Sequence, residues 1–384
     1  MIVFTSICAN YISKAKVLAN SLKLHNPNFK FAICLVERSI HPSVYGENID
    51  LVIPVTKLKI PNFERFIFRY NQVEACTAVK GYFFQELLKK FPNEDKFIYL
   101  DPDILVMSSF NELDKALAKY SIVLIPHLLE PEQQKGAVLD NEISCLKHGV
   151  FNLGFLGLRR SKETSSFLKW WTLRLHEFCF IDFCNGLFTD QKWIDLAPCF
   201  FNVHIFKNSG YDAAPWNLST RKIYKDKKGI YYSEGKRLAF YHFSGWDSGA
   251  NEQMTVKYQQ KKDEIHGLRK IYLDLLKREG QKEIGSLRWS FNYYDNGEKI
   301  KQEHRKVYTS SVFLQKKFSN PFNARSISSF LEYINNPINK IFSRLIHYHS
   351  VYEKILKNYK KGGLKLVARK TRKFFYTKLA ANRL

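Results

Sequence analysis

The chain reads FIYLDPDILV across residues 97–106. Phe97, Ile98, Tyr99 and Leu100 form an apolar run, Asp101-Pro102-Asp103 interrupts it, and Ile104, Leu105 and Val106 resume it. A short apolar run bounded by a proline turn reads as a buried strand, which places two carboxylates at its C-terminal end. Charges in such surroundings are strongly unfavourable unless a partner compensates them. In extended backbone, residues i and i+2 project to the same side, so Asp101 and Asp103 can converge on one cation while Pro102 restricts the backbone between them. Hard oxygen ligands favour Mg2+ or Mn2+ over zinc. Such a cation keeps positions for waters and phosphate oxygens, so a diphosphate-bearing substrate fits. The plainer alternative is that one aspartate caps a turn and the other pairs with a lysine.

Outward from this stretch, the first hundred residues alternate strand-like and helix-like segments as βα units do. IVFTSIC (2–8), FAICLVE (31–37) and IDLVIPV (49–55) read as strands, residues 12–24 as an amphipathic helix and residues 73–91 as a longer one. Ligands of open α/β sheets bind off the carboxyl edge of the strands, which is where the Asp-Pro-Asp falls. Beyond it, SIVLIP (121–126), VFNLGFLGLR (150–159), FNVHIF (201–206) and RLAFYHF (237–243) read as strands, residues 162–177 as an aromatic-rich helix, and FTDQKWIDLAP (188–198) as a helix opening. Trp170, Trp171 and Trp193 fall in apolar helical patterns and read as core or groove wall. After about residue 254 the pattern becomes helical and polar, with a turn at DNGEKI (295–300).

With 384 residues and 45% hydrophobic content the chain is long enough for a substantial core. The opening MIVFTSICANY enters a strand pattern without the marks of a secretory leader. No run reaches the roughly 18–20 apolar residues of a membrane span. Seven cysteines, with no Cys-x-x-Cys pair, read as buried thiols of a reducing cytoplasm. The formal net charge of +24 implies an anionic partner. It is concentrated: residues 354–384 carry no Asp or Glu, and include KNYKKGGLKLVARKTRKFFYTKL.

Two other classes fit part of this pattern. An apolar strand ending in Asp-x-Asp also opens the haloacid-dehalogenase-type phosphatases, but Leu105 stands where that family carries Thr or Val, and no later Gly-Asp-x-x-x-Asp motif follows. A nucleic-acid-binding protein would suit the charge, yet no zinc finger, helix-turn-helix or aromatic RNA-binding strand is present, and nucleic acid is not an expected partner.

Four motifs in order, IYLDPDILV, FNLGFLGL (151–158), TDQKWIDL (189–196) and YHFSG (241–245), resemble the GT-A nucleotide-sugar glycosyltransferases. Within them the chain is similar to the glycosyltransferase family 8-like branch and to bacterial cell-surface polysaccharide enzymes, over about residues 1–255. The resemblance implies an α/β fold, with a Rossmann-like mixed sheet flanked by helices, and transfer of a hexosyl group from a nucleotide-diphosphate sugar, UDP by default, to a glycan or lipid-linked acceptor. It also implies site residues. Asp101, Asp103 and His242 match metal ligands for Mn2+ or Mg2+. Gly245 lies near the diphosphate, although Trp246 and Asp247 follow it where the related pattern has a lysine. Asn152 resembles a residue lining the sugar pocket, and Asp190 and Gln191 the pair beside the anomeric carbon. Thr5, Ser6 and Tyr11 sit where the family holds the nucleoside, and Lys80 resembles a basic residue contacting donor or acidic motif. Asp190 read without the resemblance could be only a helix N-cap, and Asn152 only turn chemistry. HFSG and FNLG resemble the retaining branch.

The organisation expected is a catalytic domain over 1–255, a helical extension packed on it over 256–337 and a basic tail over 338–384. In the tail, Leu364, Val367, Thr371, Phe374, Phe375 and Leu379 can share a helical face flanked by Lys365, Arg369, Lys370, Arg372 and Lys373, as in interfacial helices. The tail is thus expected to hold a cytoplasmic protein peripherally on the anionic inner face of the plasma membrane. A non-catalytic scaffold of a polysaccharide assembly complex is the remaining alternative, and the Asp-x-Asp with His242 argues against it.

Overall fold

The computed structural model describes residues 1–259, 264–326 and 328–336. The basic tail expected over 338–384 lies outside them. The chain divides into two compact units, residues 1–292 and residues from 293 onward. The segment expected as one extension over 256–337 is therefore shared between them, its first helices belonging to the first unit.

The first unit is built on a mixed seven-stranded sheet. In chain order the strands are β1 (Ile2–Ile7), β2 (Lys30–Leu35), β3 (Leu51–Pro54), β4 (Lys96–Leu100), β5 (Ile104–Val106), β6 (Ile122–Leu124), β7 (Phe155–Arg159), β8 (Ile181–Asp182), β9 (Leu187–Phe188), β10 (Val203–Ile205), β11 (Ile223–Lys225), β12 (Tyr231–Ser233), β13 (Lys236–Arg237) and β14 (Phe240–His242). The large sheet runs β10-β6-β7-β4-β1-β2-β3, and β7 alone is antiparallel to its neighbours. Every residue of β1 is buried, as a parallel strand covered on both faces requires. The helix Ile12–His25 packs its buried side, including Ala15, Leu18 and Leu22, into the core cluster that contains Val3, Ile98 and Phe110.

From β1 the chain passes to β2 and β3 on one side of the sheet and then returns to β4 on the other. That reversal makes a crevice at the carboxyl ends of β1 and β4, the place where open α/β sheets bind ligands. Short β5 leaves the large sheet and pairs antiparallel with β14, His242 opposite Ile104. This two-stranded ribbon brings a residue 139 positions away to the turn after β4.

Local structure departs from the sequence reading in three places. The long helix expected over 73–91 is two, Gln72–Ala78 and Lys80–Lys90, the first opened by a reciprocal Asn71–Glu74 capping box. Strand β7 begins at Phe155 rather than Val150, because the Asn152 side chain accepts the Gly154 N–H at 2.7 Å and holds the preceding residues in a turn. Cys184 and Cys199 are exposed rather than buried, lying on the surface turn Phe183–Asn185 and the short helix Ala197–Phe200.

The second unit carries the expected turn, with Tyr293 bridged to Lys299 around Gly297. The helices Gln302–Ser310, Val312–Lys317 and Phe330–Asn335 follow. Tyr308 meets Phe330 edge-on at 5.2 Å. Among the described residues no helix is long and apolar enough to cross a membrane.

Candidate functional site

Asp101 leaves β4 with its N–H donating to Gly154 O at 2.8 Å, and the Ile104 N–H closes back onto Asp101 O at 3.2 Å. Asp101-Pro102-Asp103 is therefore a turn between β4 and β5. The two carboxylates converge because the chain folds back, and not, as expected, because they alternate along an extended strand. His242 reaches the same point from β14, its Nε2 3.1 Å from Asp103 Oδ1 and 3.7 Å from Asp101 Oδ2. One ligand atom from each of the three lies within 4.8 Å of the others.

A fourth residue, which the sequence reading missed, completes this cluster. Asp212 is wholly buried, and its carboxylate stands 3.4 Å from His242 Nδ1. Arg221 fixes its backbone by donating to Tyr211 O at 2.9 Å and Asp212 O at 3.2 Å. Trp216 meets the His242 ring edge-on at 5.2 Å from the other side. Burial by itself would lower the His242 pKa, but the Asp103 and Asp212 carboxylates outweigh it and raise it to about 10. Burial likewise raises Asp101 in spite of Lys80 and His242, whereas for Asp103 the attraction of His242 and Lys14 wins over burial and lowers it. The Asp212 carboxylate faces Nδ1 as an ion-pair neighbour at 3.4 Å without a hydrogen bond, on the side of the ring where metal-binding histidines commonly carry a carboxylate, and Nε2 faces the aspartates. Two carboxylates and one imidazole suit Mg2+ or Mn2+. The signal for Asp212 was present in GYDAAPWNL (210–218), an aspartate inside an apolar run, as at 101–103.

Gly154 explains why the FNLG turn comes so close. A Cβ there would stand 2.4 Å from His242 Cε1 and 2.5 Å from Asn152 Oδ1. Asn152 gives its oxygen to Gly154 and its amide to His127 Nε2 at 3.2 Å. His127 is held neutral by burial, its pKa lowered to about 4, as an accepting Nε2 requires.

Behind the turn lies a buried ion pair. Lys80, the first residue of its helix, contacts Asp190 Oδ2 at 2.8 Å, both side chains 2% exposed, and lies 3.7 Å from Asp101 Oδ1. It also donates to Leu153 O at 3.0 Å. Asp190 precedes the short helix Gln191–Ile194 but makes no side-chain capping bond, so the N-cap alternative fails. Thr189 before it adopts a left-handed φ of 46°, a strained conformation for a β-branched residue that turns Asp190 inward. Gln191 accepts the Leu153 N–H at 3.0 Å and donates to His148 O at 3.2 Å, tying this segment to FNLG.

The crevice itself encloses about 510 Å³, within the roughly 300–1,000 Å³ of small-molecule sites. Ser6, Tyr11, Tyr99, Asp101 and Asp103 line it. Ser6 donates to Cys76 O at 2.7 Å, and Tyr11 donates to Asp247 at 2.6 Å. Thr5 points into the core and does not line the crevice. Gly245 holds the turn after β14 with φ 74°, where a Cβ would meet Ala250 Cβ at 3.1 Å.

The chain is similar to several known proteins. An uncharacterised protein of Bacillus subtilis (strain 168), YfnD, is 23% identical over 274 residues, covering 70% of this chain and 85% of its own length. A second from the same organism, YfnF, is 24% identical over 230 residues, covering 59% and 74%. Among solved structures, the galactosyltransferase LgtC in complex with donor and acceptor sugar analogues is similar at 16% identity, covering 70% of this chain and 99% of its own, with a TM-score of 0.40. The model of glycosyl transferase family 8 matches residues 2–246, from β1 to the loop beyond His242. The chain belongs to glycosyl transferase family 8, and is a glycosyltransferase of the GT-A fold.

Proposed function

We propose that this glycosyltransferase moves a hexosyl group from a nucleotide-diphosphate sugar, UDP-linked by default, to a glycan or lipid-linked acceptor, with Mn2+ or Mg2+ and with retention of anomeric configuration. The observation that carries this reading is the convergence of Asp101, Asp103 and His242, the two aspartates lining a crevice of substrate size. Those three residues would hold the cation, which when bound supplies charge stabilisation to the departing diphosphate. Asp212 keeps Nε2 of His242 directed at the aspartates. Asp190, beside the anomeric carbon, stabilises its developing positive charge, and Gln191 keeps Leu153 in register. The carboxylates that line the crevice are Asp101, Asp103 and Asp247, the first two belonging to the cation set and the third paired with Lys14. The likeness of HFSG and FNLG to the retaining branch supports a path in which the leaving phosphate oxygen accepts the acceptor proton.

A screen of nucleotide sugars for Mn2+-dependent hydrolysis, read alongside protection against thermal unfolding, tests the reaction class. Silence across UDP-, GDP-, CDP- and ADP-sugars with Mn2+ present would remove it. NMR of the first product tests the stereochemistry, and inversion would overturn the retaining assignment. The basic tail is proposed to keep the enzyme on an anionic leaflet beside its acceptor, at roughly 1 kcal/mol for each Lys or Arg near the surface. Full-length protein is expected to float with phosphatidylserine vesicles and a form ending near Pro337 to stay in solution. Equal flotation of both discards the role of the tail.

A further inference from the structure

The crevice is poor in positive charge. Among its described lining residues Lys14 is the one lysine or arginine, and it shares the space with the carboxylates of Asp101, Asp103 and Asp247. Lys80, the other buried lysine near the turn, is committed to Asp190 and Leu153 O. A donor diphosphate brings more negative charge than a divalent cation bound to two carboxylates offsets. A further cation is needed, and the residues after Gly245 supply none: Trp246 and Asp247 follow.

Lys14 stands in the first turn of the helix Ile12–His25, its side chain 1% exposed and its ammonium 4.1 Å from the Tyr11 ring centroid. An ammonium has three donors. Among the described residues one acceptor meets them, Asp247 Oδ2 at 2.6 Å, which also takes the Tyr11 hydroxyl at 2.6 Å. Asp247 itself is different in kind. Its side chain is 51% exposed and comes from the loop after β14 rather than from the sheet. Its neighbour Trp246 is anchored, edge-on to Phe243 and Tyr272 at 5.7 and 5.1 Å, with the Arg269 guanidinium 5.0 Å from its ring. The carboxylate can thus leave Lys14 for water by side-chain rotation, while the loop stays fixed through Trp246.

We infer that Lys14 is the cation that receives the donor's diphosphate, and that Asp247 is a tethered stand-in for that anion, holding Lys14 and Tyr11 in place until the diphosphate displaces it. This rests on the nucleotide-diphosphate donor of the proposed function. Displacement solves two problems together. It removes a carboxylate that would repel the diphosphate, and it frees a buried ammonium already aimed into the crevice. A lysine left buried with no partner in the empty site would be strongly unfavourable, which is why an exchangeable carboxylate is stationed there.

The test uses the full chain and calorimetric titration with Mn2+ alone, and with UDP, GDP, CDP and ADP in the presence of Mn2+. Lys14→Gln is expected to weaken binding of the preferred nucleoside diphosphate roughly 10- to 100-fold, the loss of a charged hydrogen bond. The same change should leave Mn2+ alone bound equally or more tightly, because it removes a positive charge near Asp103. A collapse of the site would weaken both, and that result overturns the assignment. Asp247→Asn, which keeps an oxygen acceptor for Lys14 and Tyr11, should strengthen nucleoside diphosphate binding roughly threefold to fivefold. Weaker binding in Asp247→Asn makes Asp247 a structural strut and overturns the stand-in role. If the wild-type chain binds none of the four nucleoside diphosphates, the donor reading fails and this inference with it. If the wild type binds and Lys14→Gln binds as tightly, this inference alone fails.

Discussion

Asp103→Ala weakens Mn2+ binding by at least ~100-fold, beyond the ~10- to 100-fold that loss of an outer-shell partner brings, and nucleoside diphosphate binding loses its dependence on Mn2+. The unfolding midpoint moves little. Asp103 sits in a turn with its side chain 17% exposed, and without it His242 still faces Asp212 and Asp101. His242→Ala has the opposite signature. It removes the imidazolium beside a wholly buried Asp212 whose carboxylate has no hydrogen bond among the described residues, and the neighbouring Arg221 then offsets part of the charge. Breaking a buried pair from one side costs about 3–5 kcal/mol, and Arg221 places this case at about 3 kcal/mol. Urea unfolding measures it, and the double variant His242→Ala, Asp212→Asn should recover most of the loss. Calorimetry showing Mn2+ bound to Asp103→Ala as tightly as to the wild type would dissolve the cation site. An unchanged urea midpoint in His242→Ala would mean that Asp212 is not held by His242.

These two variants separate because the cluster was assembled from residues of very different legibility. Asp101 and Asp103 could be read from the ten residues FIYLDPDILV, because a carboxylate pair in an apolar run is anomalous without any knowledge of the fold. His242 is an ordinary histidine at the end of an ordinary strand, and was found only through the family motif. The pairing of β5 with β14, which makes it a neighbour of Asp103, spans more than a hundred residues and leaves no local trace. Asp212 carried the same local anomaly as the Asp-Pro-Asp, yet lay in no motif of the resemblance. Lys14 was hidden for a different reason. On a helical wheel it lines up with Val17, Leu18 and Ser21 on the buried side of its helix, where a lone lysine has no visible partner in the sequence until Asp247 is brought onto it from 233 residues away.

The fold was more legible than the site because it depends on repeated signals. The βα alternation, the mostly apolar β1 and the runs leading into β4 and β7 each specify buried strands by composition. Boundaries were weaker where side chains compete with backbone. Asn71 and Glu74 cap the start of the helix Gln72–Ala78, and Asn152 delays β7 by bonding to Gly154. The division at residue 292 gave no local signal, since helices rich in charged residues stand on both sides of it, Glu264–Arg278 before and Gln302–Ser310 after.

Asp190→Asn should lower kcat by roughly 100-fold or more while the KM for donor changes by less than tenfold, the pattern of an interaction made mainly in the transition state. The structure gives this substitution a second possible route, and the measurement has to separate the two. Asp190 holds Lys80 at 2.8 Å, and Lys80 also stands 3.7 Å from Asp101 Oδ1 and 3.8 Å from the Tyr99 ring centroid. Asparagine keeps the shape but removes the charge, so the Lys80 ammonium turns its full attraction on Asp101. An Asp101 drawn to Lys80 binds a divalent cation less well, and activity falls through the cation rather than through the anomeric carbon. Turnover at saturating Mn2+ distinguishes them. If kcat stays low when Mn2+ binding is saturated, Asp190 acts on the reacting sugar, as the proposed function requires. If high Mn2+ restores kcat, Asp190 is a positioning residue that acts by restraining Lys80, and its place beside the anomeric carbon is withdrawn.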